Sequence, residues 1–202
     1  MDFPAIVPSA LSSLADLYDQ TGDPAAQTAA AALRTVPKTY SPPEGSVPEV
    51  ITDLPWSLRE VPQKLRLGTL IEFAAAAPWR SGRAAFPPSF EGRSAVVELI
   101  GPDGLGVSDT IRSGLYLQAS GCLYPPHSHA AEEFYLVLSG DALWQRGDGM
   151  FEPKPPGTLI HHEPWVRHAM RTLVPPLLAA WIWVGPDLTY RTYRIDETVP
   201  LL

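Results

Sequence analysis

Short apolar segments separated by proline, glycine and aspartate dominate the chain from about residue 93 onwards. Eight of them are rich in β-branched or aromatic residues: SAVVELIG, GLYLQAS, EEFYLVLSG, ALWQR, GTLIHH, VRHAMRTL, LLAAWIWVG and TYRTYRI. Many of the 23 prolines lie in short clusters that punctuate the chain. Brief strands joined by turns are typical of an antiparallel sandwich or barrel and argue against a helical bundle. We therefore expect a mainly β fold.

The first third of the chain is predicted to be helical. Three leucines at helical spacing follow Ser9, which we take as the N-cap of a first helix. A second helix is predicted in DPAAQTAAAALRTV, where Asp23 suits the N-cap and Pro24 the first helical position. These helices precede the strand-rich region, so we expect them to form an extension of the β domain.

Residues 37–56 are rich in proline and are predicted to be a linker that wraps around the molecule. Residues 64–79 are predicted to form another helix, although Gly68 disfavours it. We divide the chain accordingly. Residues 1–80 form a helical extension with its linker and pack on the barrel, and residues 81–202 form the β-barrel domain.

Composition indicates a globular protein. The 202 residues are 45% hydrophobic and 18% charged, which allows a large buried core. The formal net charge of −7 disfavours nucleic acids and anionic membranes as partners. Because Cys122 is the single cysteine, no intramolecular disulfide can form, which fits a reducing compartment.

The N-terminal sequence has neither a basic region nor a long apolar core, so we expect no secretory signal. No apolar run approaches the roughly 20 residues that span a bilayer. We therefore expect a cytoplasmic monomer or homodimer whose partner is a small molecule rather than nucleic acid or a membrane.

The histidines are concentrated in one part of the chain. All five fall between residues 127 and 168: His127, His129, His161, His162 and His168. A single histidine is most often an ordinary hydrogen-bonded residue, but five independent placements would cluster this tightly only rarely. The cluster therefore indicates a metal site, because imidazole is a common ligand of divalent metals.

Strand geometry sharpens this prediction, because residues of the same parity share one face of a strand. His127, His129, Glu133 and Tyr135 are all odd-numbered. If the segment is mostly extended, with a regular turn before Glu133, all four side chains project the same way. The even-numbered side chains would project the other way: Glu132, Phe134, Leu136 and Leu138. Two imidazoles and one carboxylate form a metal site that lacks one ligand.

A later strand can supply the fourth ligand. His168 follows the turn-like segment EPWV and opens a predicted strand, so we favour it. His161 and His162, in the segment GTLIHH, are the alternatives.

The segment GCLYPPHSHAAEEFYLVLSG resembles the first motif of the cupin family. Gly121 is followed by five residues, His127-x-His129, three residues, Glu133, six residues and Gly140. The second motif, PPGTLIHHEPWVRH, is looser. It has a Pro-Gly turn and then a histidine, His168, where cupins place their last metal ligand, but the usual Pro-x-Gly just before that histidine is absent.

Three segments resemble the cupin-type dimethylsulfoniopropionate (DMSP) lyases of the DddQ type: HAAEEFYLVLSG, KPPGTLIHHEPWVRHAMRT and PLLAAWIWVGPDL. A helical extension before a cupin barrel also matches that family. The resemblance covers roughly residues 90–195 at the level of motifs. It implies a double-stranded β-helix, which is a jelly-roll-like barrel, and a metal-dependent β-elimination that splits DMSP into acrylate and dimethyl sulfide.

The resemblance also implies the roles of individual residues. The metal ligands of the family fall on His127, His129, Glu133 and His168. The catalytic tyrosine falls on Tyr135, a second active-site tyrosine on Tyr124, and a substrate-binding tryptophan on Trp183. The implied cofactor is one divalent metal ion, namely zinc, iron, manganese, nickel or cobalt.

The chemistry of the reaction fits these residue types. A tyrosine with a pKa near ~10 is a poor base at neutral pH unless a nearby cation stabilises its phenolate. The sulfonium end of the substrate suits aromatic rings, at roughly 0.5–2 kcal/mol per cation–π contact. Besides Trp183 and Tyr124, the aromatic candidates are Trp181, Tyr116 and Trp144.

Two other classes of function compete with the lyase. One is a related cupin enzyme that acts on another small carboxylate, either by elimination or as an iron-dependent dioxygenase. The other is a cupin that binds a small molecule without catalysis. The combination of Tyr135, Tyr124 and Trp183 favours the lyase over the oxygenase, and the Ala-rich, sparsely basic N-terminal helices argue against a sensor with an attached DNA-binding domain.

Overall fold

The computed structural model describes residues 2–34, 37, 39–41, 44–65, 67–82 and 86–196. Within them, the α-helices are α1 Phe3–Asp19, α2 Pro24–Ala31, α3 Leu54–Arg59 and α4 Thr69–Ala76. The strands are β1 Ser94–Gly101, β2 Gly106–Val107, β3 Arg112–Gln118, β4 Leu123–Ser128, β5 Glu132–Ser139, β6 Ala142–Arg146, β7 Glu152–Lys154, β8 Leu159–His162, β9 His168–Thr172, β10 Leu177–Val184 and β11 Arg194–Ile195.

The strands form two sheets. One has the order β2-β1-β3-β10-β5-β8 and the other the order β11-β4-β9-β6-β7. All pairings are antiparallel except that of β1 with β2. The two sheets face each other and enclose a core that buries residues from both. This arrangement is the predicted mainly β, double-stranded β-helix, preceded by a helical region.

The helices cover the outer face of the larger sheet. Helices α2 and α3 contact β10, and α1 contacts β1. The hydroxyl of Tyr18 in α1 donates to the carbonyl oxygen of Phe134 in β5 at 3.1 Å. Phe134, Leu136 and Leu138, which parity places away from the candidate site, are all buried. No helix in the described part of the chain is long and apolar enough to cross a membrane.

The start of α1 differs from the prediction, whereas the start of α2 confirms it. Asp2, not Ser9, is the N-cap of α1, because proline early in the first turn allows the helix to begin seven residues sooner. Ser9 lies inside the helix, with its hydroxyl 3.3 Å from that of Thr69. Asp23 caps α2 as predicted and accepts a hydrogen bond from the amide of Ala26 at 2.9 Å.

The helix predicted over residues 64–79 is shorter than expected. Gly68 has a φ of 53° and occupies the N-cap position of α4, so the chain turns there rather than continuing a helix. The predicted linker, residues 37–56, is also not irregular throughout: residues 49–53 form a 3₁₀ turn and α3 begins at Leu54.

Each of the first seven predicted β segments contains a strand. In the eighth, TYRTYRI, only Arg194–Ile195 is a strand, because Tyr190–Thr192 forms a 3₁₀ turn. The side chain of Thr189 caps this turn by accepting from the amide of Arg191 at 3.2 Å. Three strands were not among the predicted segments: β2 and β7, which are only two and three residues long, and β4, which was taken as one extended segment with β5.

Candidate metal centre and active-site pocket

The residues predicted to bind metal come together from both sheets. His127 lies on β4 in the smaller sheet, and Glu133 lies on β5 in the larger one. His129 lies in the connection between them. His168 opens β9 directly opposite His127 in the strand register. The explanation from parity along one extended segment is therefore wrong: the side chains converge because the two sheets face each other.

The four side chains form one compact cluster. One potential ligand atom from each of His127, His129, Glu133 and His168 lies within 4.8 Å of all the others, and all four residues are buried. Oε2 of Glu133 lies 3.2 Å from Nε2 of His129 and 2.9 Å from Nε2 of His168. The cluster has the size and the donor atoms of a site for one divalent cation.

Backbone carbonyls orient the three imidazoles. Nδ1 of His127 lies 2.9 Å from the carbonyl oxygen of Pro125, and the equivalent distances are 3.0 Å from His129 to Ala131 and 2.8 Å from His168 to Val166. A carbonyl can only accept, so Nδ1 must carry the proton in each contact. In a neutral ring this leaves the lone pair on Nε2 for a metal, so the residues present fit a metal ion.

Electrostatics favour the protonation states that bind metals. Burial lowers the pKa of His127 well below its usual value, and the neighbouring ring of His168 lowers it further, which favours the neutral form of His127. Burial opposes the ionisation of Glu133, but the adjacent rings of His129 and His168 outweigh it. The pKa of Glu133 therefore lies well below its usual value. Neutral imidazole and ionised carboxylate are the forms that coordinate a metal.

An aromatic pocket adjoins this cluster. It is lined by two metal-cluster residues, His127 and Glu133, and by Gly82, Phe86, Ser94, Val96, Tyr116, Tyr124, Tyr135, Trp181, Trp183, Tyr190 and Tyr193. Of the aromatic candidates from the sequence, only Trp144 is missing from this lining. It instead packs behind Tyr135, with 5.5 Å between ring centroids.

Trp183 joins the pocket to the candidate metal centre. Its indole N–H donates to Oε1 of Glu133 at 2.5 Å, and its ring lies 4.2 Å from that of His129. Tyr135, two residues after Glu133 on β5, also faces this pocket. Burial raises the pKa of Tyr135 well above its usual value, and the charge of Glu133 raises it further.

Two tyrosines from the C-terminal segment were missed in the sequence. Tyr193 stacks on His127 and His129 with centroid distances of 5.1 and 5.6 Å, and its hydroxyl forms a hydrogen bond with that of Tyr124. The ring centroids of Tyr190 and Trp183 lie 5.8 Å apart. The segment TYRTYRI was interpreted as a strand. Its two tyrosines are three residues apart, a spacing that places both side chains on one side of a helical turn, and this was the signal that could have identified the turn.

His161 and His162 lie outside the cluster. His161 stacks on Phe134, and its Nε2 lies 2.7 Å from Oε1 of Glu132, so this side chain faces away from the pocket. His162 is buried and stacks on His168 at 3.9 Å. Neither ring nitrogen of His162 has a hydrogen-bond partner among the described residues. Burial lowers the pKa of His162 to about 2, and the neighbouring ring of His168 contributes to this shift.

Known proteins share this architecture. Two crystal structures superpose on nearly the whole chain. The DMSP lyase DddQ from Ruegeria pomeroyi DSS-3 does so with a TM-score of 0.68 and 23% identity, covering 93% of this chain and 96% of the other. A structure reported with the DMSP lyases RdDddP and RnDddQII gives a TM-score of 0.71 at 26% identity, covering 95% of this chain and 100% of the other.

Sequence comparison gives the same relatives. The dimethylsulfoniopropionate lyase DddQ of Ruegeria pomeroyi is 32% identical over 127 residues, which is 59% of this chain. The match spans 63% of that relative, slightly less than two thirds of its length. The family model described as dimethylsulfoniopropionate lyase matches residues 60–179, more than half of the chain. The chain therefore belongs to the dimethylsulfoniopropionate lyase family.

Proposed function

We propose that this protein is a metal-dependent carbon–sulfur lyase that cleaves DMSP into acrylate and dimethyl sulfide by β-elimination. The observation that carries the proposal is the placement of Tyr135. It lines the same buried pocket as Glu133 and His127, two members of a cluster with the donor set of a metal site. The names of the relatives support the choice of DMSP as substrate.

The pocket suits a small zwitterion whose positive end is apolar. Trp183, Tyr124 and Tyr193 present aromatic rings, which attract a sulfonium by cation–π interaction and by burial of its methyl groups. The carboxylate end would then lie towards His127, His129, Glu133 and His168, the residues that we propose hold the metal. A divalent cation bound there would supply positive charge that stabilises the developing negative charge on the substrate and the phenolate of Tyr135.

We assign Tyr135 as the general base. As a phenolate it takes the proton from the carbon next to the carboxylate, and the electron pair of that C–H bond becomes the new carbon–carbon double bond. The bond from the next carbon to sulfur breaks, and its electrons leave with neutral dimethyl sulfide, which needs no acid. Burial and the charge of Glu133 both favour the protonated form of Tyr135 in the protein alone.

We propose a supporting role for Tyr124. Its hydroxyl pairs with that of Tyr193, and its ring lies 4.4 Å from His127. Tyr124 therefore connects the aromatic wall to the metal cluster. This position suits a residue that orients the substrate and keeps water from the reacting carbon.

The test is detection of dimethyl sulfide in the headspace over purified protein and DMSP, after separate loading with zinc, iron, manganese, nickel and cobalt. Tyr135→Phe should lower kcat by at least about 100-fold, the usual contribution of a general base. Tyr18→Phe is the matched control. It also removes a buried tyrosine hydroxyl, but this hydroxyl donates to the backbone carbonyl of Phe134 and Tyr18 does not line the pocket.

The outcomes separate the substrate from the base. Failure of the wild-type protein to release dimethyl sulfide with any of the five metals would overturn DMSP as substrate. Full activity in Tyr135→Phe would remove Tyr135 as the base. A matched loss in Tyr18→Phe would show that any lost buried hydroxyl disables the enzyme.

A further inference from the structure

Arg112 is a buried arginine that stands behind the pocket. It lies on β3 opposite Trp183 of β10, and only 1% of its surface is exposed. It is not among the residues that line the pocket. A buried guanidinium is costly unless its donors are used, so the contacts of Arg112 indicate what it does.

One side of Arg112 is fixed by a carboxylate. Its Nε and Nη2 donate to Oε2 of Glu98 at 3.0 and 2.6 Å. Glu98 is itself 3% exposed and lies on the neighbouring strand β1. The same carboxylate oxygen lies 3.4 Å from Nη2 of Arg80. The guanidinium of Arg112, on β3, is therefore fixed by a carboxylate of the neighbouring strand β1.

The other side of Arg112 faces the segment that follows β10. We call residues 185–196 the C-terminal strap. Nη1 of Arg112 donates to the carbonyl oxygen of Leu188 at 2.9 Å, and its guanidinium carbon lies 4.5 Å from the ring centroid of Tyr190. The guanidinium also lies 5.7 Å from the ring of Trp183. One side chain thus holds both the backbone and a ring of the strap.

The far end of the strap is attached separately. Ile195 pairs with His127 across β11 and β4, and the amide of Asp196 donates to the carbonyl oxygen of Pro126 at 2.8 Å. Along the chain, Tyr190 and Tyr193 lie between Leu188, which Arg112 holds, and the attachment at Ile195 and Asp196. Both tyrosine rings line the pocket. The strap is therefore anchored on either side of the pocket.

We propose that Arg112 is a positioning residue that holds the C-terminal strap over the pocket and so places Tyr190 and Tyr193 against the substrate. The statement about the substrate rests on the lyase function proposed above. Lysine cannot replace this arginine, because the planar guanidinium binds a carboxylate, a carbonyl and an aromatic face at once.

The test compares Arg112→Lys with Arg80→Lys. Both remove a buried arginine from Glu98, but Arg80 donates to the carbonyl oxygens of Glu44 and Asp103 and, among the described residues, forms no hydrogen bond or cation–π contact with the strap. We expect Arg112→Lys to raise the KM for DMSP by roughly 10–100-fold, the scale of a small misplacement of binding groups, with a much smaller change in kcat. Hydrogen exchange in residues 185–196 should also become faster.

Arg80→Lys should keep the wild-type KM and the wild-type exchange in the strap. An equal rise in KM in both variants would overturn the proposal, because general destabilisation would then explain it. Wild-type KM and exchange in Arg112→Lys would overturn it as well.

Leu188→Ala provides a second test if Arg112→Lys does not fold. Leu188 is buried, 4% exposed, and does not line the pocket, so its truncation loosens the strap while the pair of Arg112 and Glu98 is kept. Faster exchange of the strap with a higher KM supports the placement of the substrate by the strap, and faster exchange with a wild-type KM contradicts it. Hydrogen exchange needs no substrate, so it decides the role of Arg112 even if the wild-type protein does not cleave DMSP.

Discussion

Trp183 donates its indole N–H to Oε1 of Glu133 across the pairing of β10 with β5. The other oxygen of the carboxylate, Oε2, lies close to the ring nitrogens of His129 and His168. One buried carboxylate thus links an aromatic wall of the pocket to the proposed metal ligands. This hydrogen bond fixes the rotation of the carboxylate and so presents Oε2 to the centre of the cluster.

Trp183→Phe should weaken metal binding, because it keeps an aromatic ring but removes the donor to Glu133. Loss of a partner that orients a ligand typically costs about 10–100-fold in metal affinity. Trp181→Phe is the matched control, since Trp181 lies on the same strand and its Nε1 has no hydrogen-bond partner among the described residues. Competition with a coloured chelator measures both affinities. Equal affinities of the two variants would contradict the role of this hydrogen bond.

His168→Ala should lose the metal, whereas His161→Ala should keep it. His168 is part of the buried cluster, while His161 faces away from it and lies next to Glu132. Removal of a direct ligand should cost more than the roughly 100-fold upper range for an outer partner. Metal content after dialysis and chelator competition measure the effect. Loss of metal in His161→Ala with retention in His168→Ala would reverse the assignment.

The sequence predicted the members of the cluster better than the reason for their convergence. The His-x-His and Glu133 spacing matched a known motif, so the grouping could be expected. The parity prediction took residues 127–135 as a mostly extended segment with a regular turn, but the chain passes from β4 in one sheet to β5 in the other between His129 and Glu132. Hydrophobic periodicity carries no information about such a crossing, because alternation looks the same in both sheets.

Other parts of the site had little or no signal in the sequence. Arg112 is one of several arginines, and its burial depends on Glu98 from another strand. Tyr193 reaches the cluster only because the chain turns at Tyr190–Thr192. The division of the chain near residue 80 into a helical extension and a barrel domain stays a prediction. Helices and sheets contribute to one common core, so the core does not separate the two parts.

The hydroxyls of Tyr124 and Tyr193 should act as a coupled pair in stability. They bond to each other, so Tyr124→Phe and Tyr193→Phe remove the same interaction. Each single change should lower the free energy of unfolding by about 1 kcal/mol, and the double change should cost clearly less than the sum. Urea unfolding of the metal-free protein measures the three variants.

Tyr116→Phe provides the control for this coupling. The hydroxyl of Tyr116 donates to Oε1 of Gln118 at 2.9 Å, although its ring lies 5.9 Å from that of Tyr124. Its cost should therefore add to that of Tyr193→Phe. If the losses in unfolding free energy of Tyr124→Phe and Tyr193→Phe add up in the double variant, the two hydroxyls have separate partners.

Gly140→Ala should destabilise the fold far more than Gly147→Ala. Both glycines have positive φ, of 86° and 58°. At Gly147 an added Cβ meets nothing within 4 Å, so the cost should be that of the left-handed backbone alone, about 1–2 kcal/mol. At Gly140 the Cβ would collide with the carbonyl oxygen of Pro176, and backbone atoms cannot move aside as a flexible side chain can.

The cost at Gly140 should therefore exceed about 3 kcal/mol, which is in the exceptional range for a single substitution. Denaturant unfolding of both variants measures the difference. This glycine lies between β5 and β6, so the prediction also explains why this chain has glycine at the end of the spacing that begins at Gly121. Equal costs at the two positions would mean that the turn at Gly140 can open without disturbing the strand β10 that follows Pro176.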